Sequence, residues 1–225
     1  MTTTTITLTA SDGHEFAAYE SVPDGPILGR MVVIQEIFGV NEHIRDLCDR
    51  LSGQGIAAIA PAMFDRVEAN VELGYNPESI DKGRGIMDKI DWDQAMADVQ
   101  AAVDHFAGDG PTGVVGYCWG GSIAWLAACR MNNVACSVGY YGGAIIKFID
   151  ETPKCPTMLH FGEKDAGIPL TDVLQIAARH AAVEVFTYPD AEHGFHCDQR
   201  GSYSKESSDL SDTRTFPFYL QQFGG

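Results

Sequence analysis

The chain has 225 residues, 45% of them hydrophobic, which suffices for one substantial core and a single α/β domain over residues 1–225. Its formal net charge of −16 makes a surface that repels nucleic-acid phosphates and anionic lipid, so neither is an expected partner. Met1-Thr2-Thr3-Thr4-Thr5 leads into no apolar run, and no stretch approaches the roughly 18 apolar residues of a membrane span, so a soluble, cytoplasmic protein is expected.

In chain order, residues 5–9 and 15–19 flank Ser11-Asp12-Gly13 and predict a hairpin. Residues 31–35 form a continuous apolar run, as in a strand buried on both faces. Asn41 is placed to cap a helix reaching Leu51, and 56–60 is the next buried strand, stopped by Pro61. Residues 65–91, with Gly74, Pro77, Gly83 and Gly85, read as a long polar connection carrying a short helix. Residues 92–106 have the spacing of an amphipathic helix. Strands follow at 137–141, 157–161 and 184–188, with helices at 170–182 and 211–223. Such alternation implies a mostly parallel, doubly wound sheet with an antiparallel hairpin at its start and no large cap domain.

The segment Val114-Val115-Gly116-Tyr117-Cys118-Trp119-Gly120-Gly121 joins a β-branched run to a helical one through a Gly-x-Cys-x-Gly turn. A sharp strand–turn–helix junction of this kind presents its central residue as a nucleophile, and the strained backbone demands small neighbours on both sides. The same pentapeptide also fits a tight turn around a small buried thiol, since free cysteine is usually core. Partners decide between the two readings. A strand at 157–161 runs into Gly162-Glu163-Lys164-Asp165, and the strand at 184–188 is followed by Glu192-His193-Gly194-Phe195. Both Asp165 and His193 therefore fall on the rim where Cys118 sits, in the chain order nucleophile, acid, histidine. An imidazole near a thiol accepts its proton and later returns it, and a carboxylate fixes the tautomer of that imidazole.

The ordered set Gln35-Glu36-Ile37-Phe38-Gly39, Gly116-Tyr117-Cys118-Trp119-Gly120-Gly121, Gly139-Tyr140-Tyr141-Gly142, Gly162-Glu163-Lys164-Asp165 and Glu192-His193-Gly194-Phe195 resembles the dienelactone hydrolase (carboxymethylenebutenolidase) family of the α/β-hydrolase superfamily. The resemblance implies an α/β-hydrolase fold and a monomer, with Cys118, Asp165 and His193 as the triad. It also implies Glu36 as a buried carboxylate that takes part in activating the thiol, and the amides of Ile37 and Trp119 as the oxyanion hole. Family members hold a substrate carboxylate with two arginines. Arg66 is taken for the first, and Arg200 for a displaced second, since Cys197 stands just beyond the His-x-Phe. Tyr141 and Phe38 are candidate pocket residues. The implied substrate is a small lactone or activated ester, anionic if the arginines serve it.

A thiol–histidine pair in an amidotransferase or peptidase is a rival reading, but there the third residue usually lies close after the histidine. A binding protein that uses a hydrolase pocket as a receptor is another, distinguished by single turnover. Six scattered cysteines (48, 118, 129, 136, 155 and 197) contain no Cys-x-x-Cys pair, fit a reducing compartment and match no zinc-ligand spacing. No metal or cofactor is expected, and His196 and Cys197 read as loop residues.

Overall fold

A computed structural model describes residues 1–224. Eight strands form one sheet in the order β1-β2-β4-β3-β5-β6-β7-β8. Strands β1 (Thr2–Thr9) and β2 (Glu15–Val22) pair antiparallel around a turn closed by Gly13 N–H donating to the Ala10 carbonyl at 2.9 Å. Strand β2 then pairs antiparallel with β4 (Ile56–Pro61). From β4 onward the sheet is parallel, through β3 (Gly29–Ile34), β5 (Thr112–Tyr117), β6 (Cys136–Tyr140), β7 (Thr157–Gly162) and β8 (Glu184–Tyr188).

Residues of β4, β5, β6 and β7 are buried throughout, which explains why their sequences are unbroken apolar or small runs without alternation. Helix α1 (Glu42–Gly53) starts where expected, with Asn41 accepting from Ile44 N–H at 3.3 Å. Helix α3 (Trp92–His105) carries a full capping box between Asp91 and Gln94. It packs on α4 (Trp119–Arg130), which is buried on almost every side and centred on Trp125.

Two boundaries differ from the sequence reading, and the short helix expected within residues 65–91 gains its limits. Helix α2 (Pro77–Met87) begins at an Asn76 cap with proline at N1 and contains both Gly83 and Gly85. Helix α5 (Leu170–Arg179) ends before residue 182 because His180 leaves helical geometry, bonding the Ile149 carbonyl and meeting Trp125 edge-on. Helix α6 (Lys205–Phe223) begins six residues early, since Ser204 caps a polar first turn. Among the described residues, no helix is long and apolar enough to cross a membrane.

The parallel register sets which strand ends meet. Ile34 pairs with Gly116, Tyr117 with Tyr140, Tyr140 with His160 and Gly162 with Tyr188. The carboxyl ends of β3, β5, β7 and β8 therefore share one rim, where open α/β sheets place their ligands.

Candidate active site

Cys118 occupies the turn between β5 and α4 with φ 57° and ψ −115°. A β-carbon on Gly116 would lie 1.9 Å from the Gly120 carbonyl oxygen, and one on Gly120 would lie 2.4 Å from that of Ile34. Only glycine fits at either place, so the strain at Cys118 is built into the sequence around it. The turn leaves the thiol half-buried on the rim.

The loop after β8 brings His193 to that thiol, with Nε2 3.0 Å from Sγ. On its other side His193 Nδ1 lies 2.7 Å from Asp165 Oδ2, while Asp165 Oδ1 accepts the Gly167 N–H at 2.8 Å. Three residues 75 and 28 positions apart in sequence thus form one hydrogen-bonded line. Burial alone would lower the His193 pKa, but its interactions with the Cys118 sulfur and the Asp165 carboxyl outweigh it and raise it to about 10. A histidine pKa raised on folding contributes stability that is complete below the ordinary value of 6.5 and lost as pH climbs through 10. In a Cys118→Ala variant the contribution of the sulfur vanishes. The imidazole titration followed by NMR is then expected to move down, and an unmoved titration would contradict the pairing.

Glu36 follows β3 and is 1% exposed. Its Oε1 accepts from Arg200 Nη1 at 3.0 Å. Burial pushes the Glu36 carboxyl up despite the opposing pull of Arg200 and His193. The Arg200 guanidinium lies 5.6 Å from the Phe38 ring centroid and 5.8 Å from that of Tyr75. It passes through the space a side chain at residue 194 would fill: a β-carbon on Gly194 would be 2.4 Å from Arg200 Nη1. Gly194 also has φ 77°, so glycine is required there twice over.

Two adjoining cavities, about 410 and 470 Å³, meet at Cys118 and His193. One is walled by Ile37, Phe38, Ile80, Arg84, Lys164 and Arg200. The other is walled by Ile90, Trp92, Trp119, Lys147 and Ile168. Trp119 opens α4, where the first amides of a helix have no intrahelical acceptor. Ile37, three residues beyond the end of β3, lines one cavity beside Cys118, and Trp119 lines the other.

Two expectations are corrected. Arg66 does not reach these cavities. Its Nε and Nη2 donate to Asp98 at 2.8 and 2.7 Å and its Nη1 to Asp12 at 2.7 Å, tying the first hairpin turn to α3. The Arg66 side chain is 7% exposed and that of Asp98 0%, so the charge is committed to a buried structural pair. Arg66→Ala would strand the Asp98 carboxylate. The expected loss is about 3–5 kcal/mol in urea unfolding, with the KM of the folded enzyme unmoved. Tyr141 is fully buried behind His193, with ring centroids 5.1 Å apart in an edge contact, and supports the histidine without lining either cavity.

Arg84 was not visible from sequence. It is exposed on α2, on the face that Ile80 and Met87 also turn to the cavity. Among the described residues no carboxylate pairs with it. The spacing 80, 84, 87 is helical, but Gly83 and Gly85 obscured the limits and the face of the short helix expected in this stretch.

An elbow at the carboxyl edge of a mostly parallel eight-stranded sheet, with an acid and a histidine on the following strand ends, defines an α/β-hydrolase. The chain belongs to the dienelactone hydrolase family: the model of the "Dienelactone hydrolase family" matches residues 16–223. A Synechocystis sp. protein provisionally named a carboxymethylenebutenolidase is 36% identical over 198 residues, covering 79% of this chain and 80% of that one. The carboxymethylenebutenolidase of Pseudomonas putida is 29% identical over 228 residues, covering 97% and 96%. A crystal structure of a Klebsiella pneumoniae protein, provisionally described as a dienelactone hydrolase, superposes with a TM-score of 0.79 at 31% identity over 98% of this chain and 99% of that one.

Proposed function

We propose that this hydrolase uses Cys118 to open enol lactones and to cleave esters with comparably good leaving groups. The observation that carries the reading is the unbroken line Cys118 Sγ, His193, Asp165, at 3.0 and 2.7 Å. The thiolate attacks the carbonyl carbon, and the displaced electron pair rests on an oxygen held by the Ile37 and Trp119 amides. Collapse expels the ring oxygen as an enolate, which takes the imidazolium proton from His193. The opened substrate stays attached as a thioester. Neutral His193 then removes a proton from water, the hydroxide adds to the thioester, and the thiolate departs to restore the resting pair. Asp165 holds the imidazole with Nε2 toward the sulfur throughout.

The leaving group decides the substrate class. A thiolate is itself easily expelled from the tetrahedral intermediate, so an alkoxide loses that competition and an enolate does not. Simple alkyl esters and amides are therefore expected to be poor substrates. A substrate carboxylate would meet Arg84 and, behind it, the Arg200 charge that Glu36 shares, a local cationic focus on a chain of net charge −16. Arg84→Gln is expected to raise KM for a carboxylated lactone about fivefold, the scale of one exposed charge contact, leaving kcat and the neutral ester unchanged.

The test is steady-state hydrolysis of a carboxylated dienelactone and its uncharged ester, with Cys118→Ala and Arg84→Gln as comparators. Turnover that prefers the acid and depends on Cys118 supports the full reading. Equal turnover of both substrates retires the anion site, and turnover independent of Cys118 retires the mechanism.

A further inference from the structure

A second group of buried side chains with metal-ligand chemistry gathers around Glu36. Glu36, His43 and Cys197 are all buried, and one ligand-type atom from each lies within 4.8 Å of the other two. They come from the segment just after β3, the first turn of α1 and the loop after His193, so only the fold brings them together. His43 is the anomaly. It is 0% exposed, yet both of its ring nitrogens lack a hydrogen-bond partner. A buried polar atom left unpaired costs about 1–3 kcal/mol, and here one imidazole carries two. The Tyr141 hydroxyl, whose charge environment includes Glu36 and Cys197, is buried and unpaired as well.

We propose that Glu36, His43 and Cys197 bind a zinc-class divalent cation. Thiolate, imidazole and carboxylate together are the donor set that a borderline-soft ion prefers. Asp198 Oδ1 lies 3.6 Å from His43 Nδ1, so a metal held by Nε2 would complete the carboxylate–histidine–metal arrangement that orients bound imidazoles. Metal–ligand bonds of about 2.0–2.3 Å put tetrahedral ligand atoms roughly 3.3–3.8 Å apart. The cluster, spanning up to 4.8 Å, must therefore draw in by about 1 Å. Arg200 opposes a second cation nearby, but it occupies only Oε1 of Glu36, and two anionic ligands offset it. On binding, the Cys197 proton leaves to solvent and a sulfur–metal bond forms, with no change of oxidation state. The ion would share Glu36 with Arg200, each on its own carboxylate oxygen, directly before Ile37.

The test titrates Co²⁺ into the full-length Cys118→Ala protein, which removes the half-buried thiol of the rim. One equivalent is expected to bind with a thiolate-to-cobalt charge-transfer band, which Zn²⁺ displaces. Adding Cys197→Ser should abolish the band and weaken Zn²⁺ at least tenfold, and His43→Gln should weaken it comparably. Absence of the band, or its survival in the Cys197→Ser protein, overturns the site. Should either substitution prevent folding, zinc-edge anomalous scattering from crystals soaked in Zn²⁺ decides instead. A peak among Glu36, His43 and Cys197 upholds the assignment, and zinc only on surface carboxylates overturns it.

Discussion

Cys118→Ala is expected to lower kcat for a lactone substrate by about 10⁴–10⁶-fold, the range seen when one member of a cooperative nucleophile–base–acid unit is removed. The reason is local. The elbow strains Cys118 to φ 57° so that Sγ meets His193 at 3.0 Å, and no neighbouring nucleophile shares that position. Alanine tolerates the same turn no worse than cysteine, so KM and the unfolding midpoint should change little. Rapid-quench kinetics on the folded variant checks this. A loss below tenfold would mean that the thiol is not the attacking group.

Gly83→Ala is the second large expected effect, at a residue that touches no substrate. A β-carbon there would lie 1.9 Å from the Ile37 carbonyl oxygen and 3.1 Å from its carbon. Either α2 or the Ile37 peptide must move. Displacing a catalytic group by about 1 Å can cost 10²-fold, and that is the expected drop in kcat. Stability should fall less: overpacking costs about 1–3 kcal/mol, and alanine in a helix returns nearly 1 kcal/mol relative to glycine. Gly85, two residues along the same helix, has open space where its β-carbon would be. Gly85→Ala should therefore stabilise by up to about 1 kcal/mol with activity intact. Kinetics and urea unfolding on the pair settle the matter, and similar behaviour of the two variants would contradict the packing argument.

The parts of the site that sequence revealed are those fixed by short-range geometry. Gly116, Cys118 and Gly120 announce a strained turn because backbone sterics leave few other uses for that spacing. Asp165 and His193 were legible because strand ends in a parallel sheet share a rim. Arg66 was misplaced for the opposite reason. Its partners Asp12 and Asp98 are remote in sequence, and burial, not spacing, commits its charge to them. Arg84 escaped notice because two glycines weaken the helical pattern of α2, although Asn76 and Pro77 mark its start. The early start of α6 was hidden by a polar first turn, where capping and not apolar periodicity carries the signal. His43 and Cys197 looked like ordinary helix and loop residues because their proximity to Glu36 exists only after three separate elements pack.

The central claim is a covalent thioester at Cys118, and intact-mass spectrometry after acid quench in the first turnovers tests it most directly. Opening a cyclic substrate loses no atoms, so the expected adduct equals the whole mass of the lactone, maps to the peptide containing Cys118 and is absent from Cys118→Ala. Multiple turnovers with no adduct at any quench time, together with undiminished hydrolysis by Cys118→Ala, would contradict it.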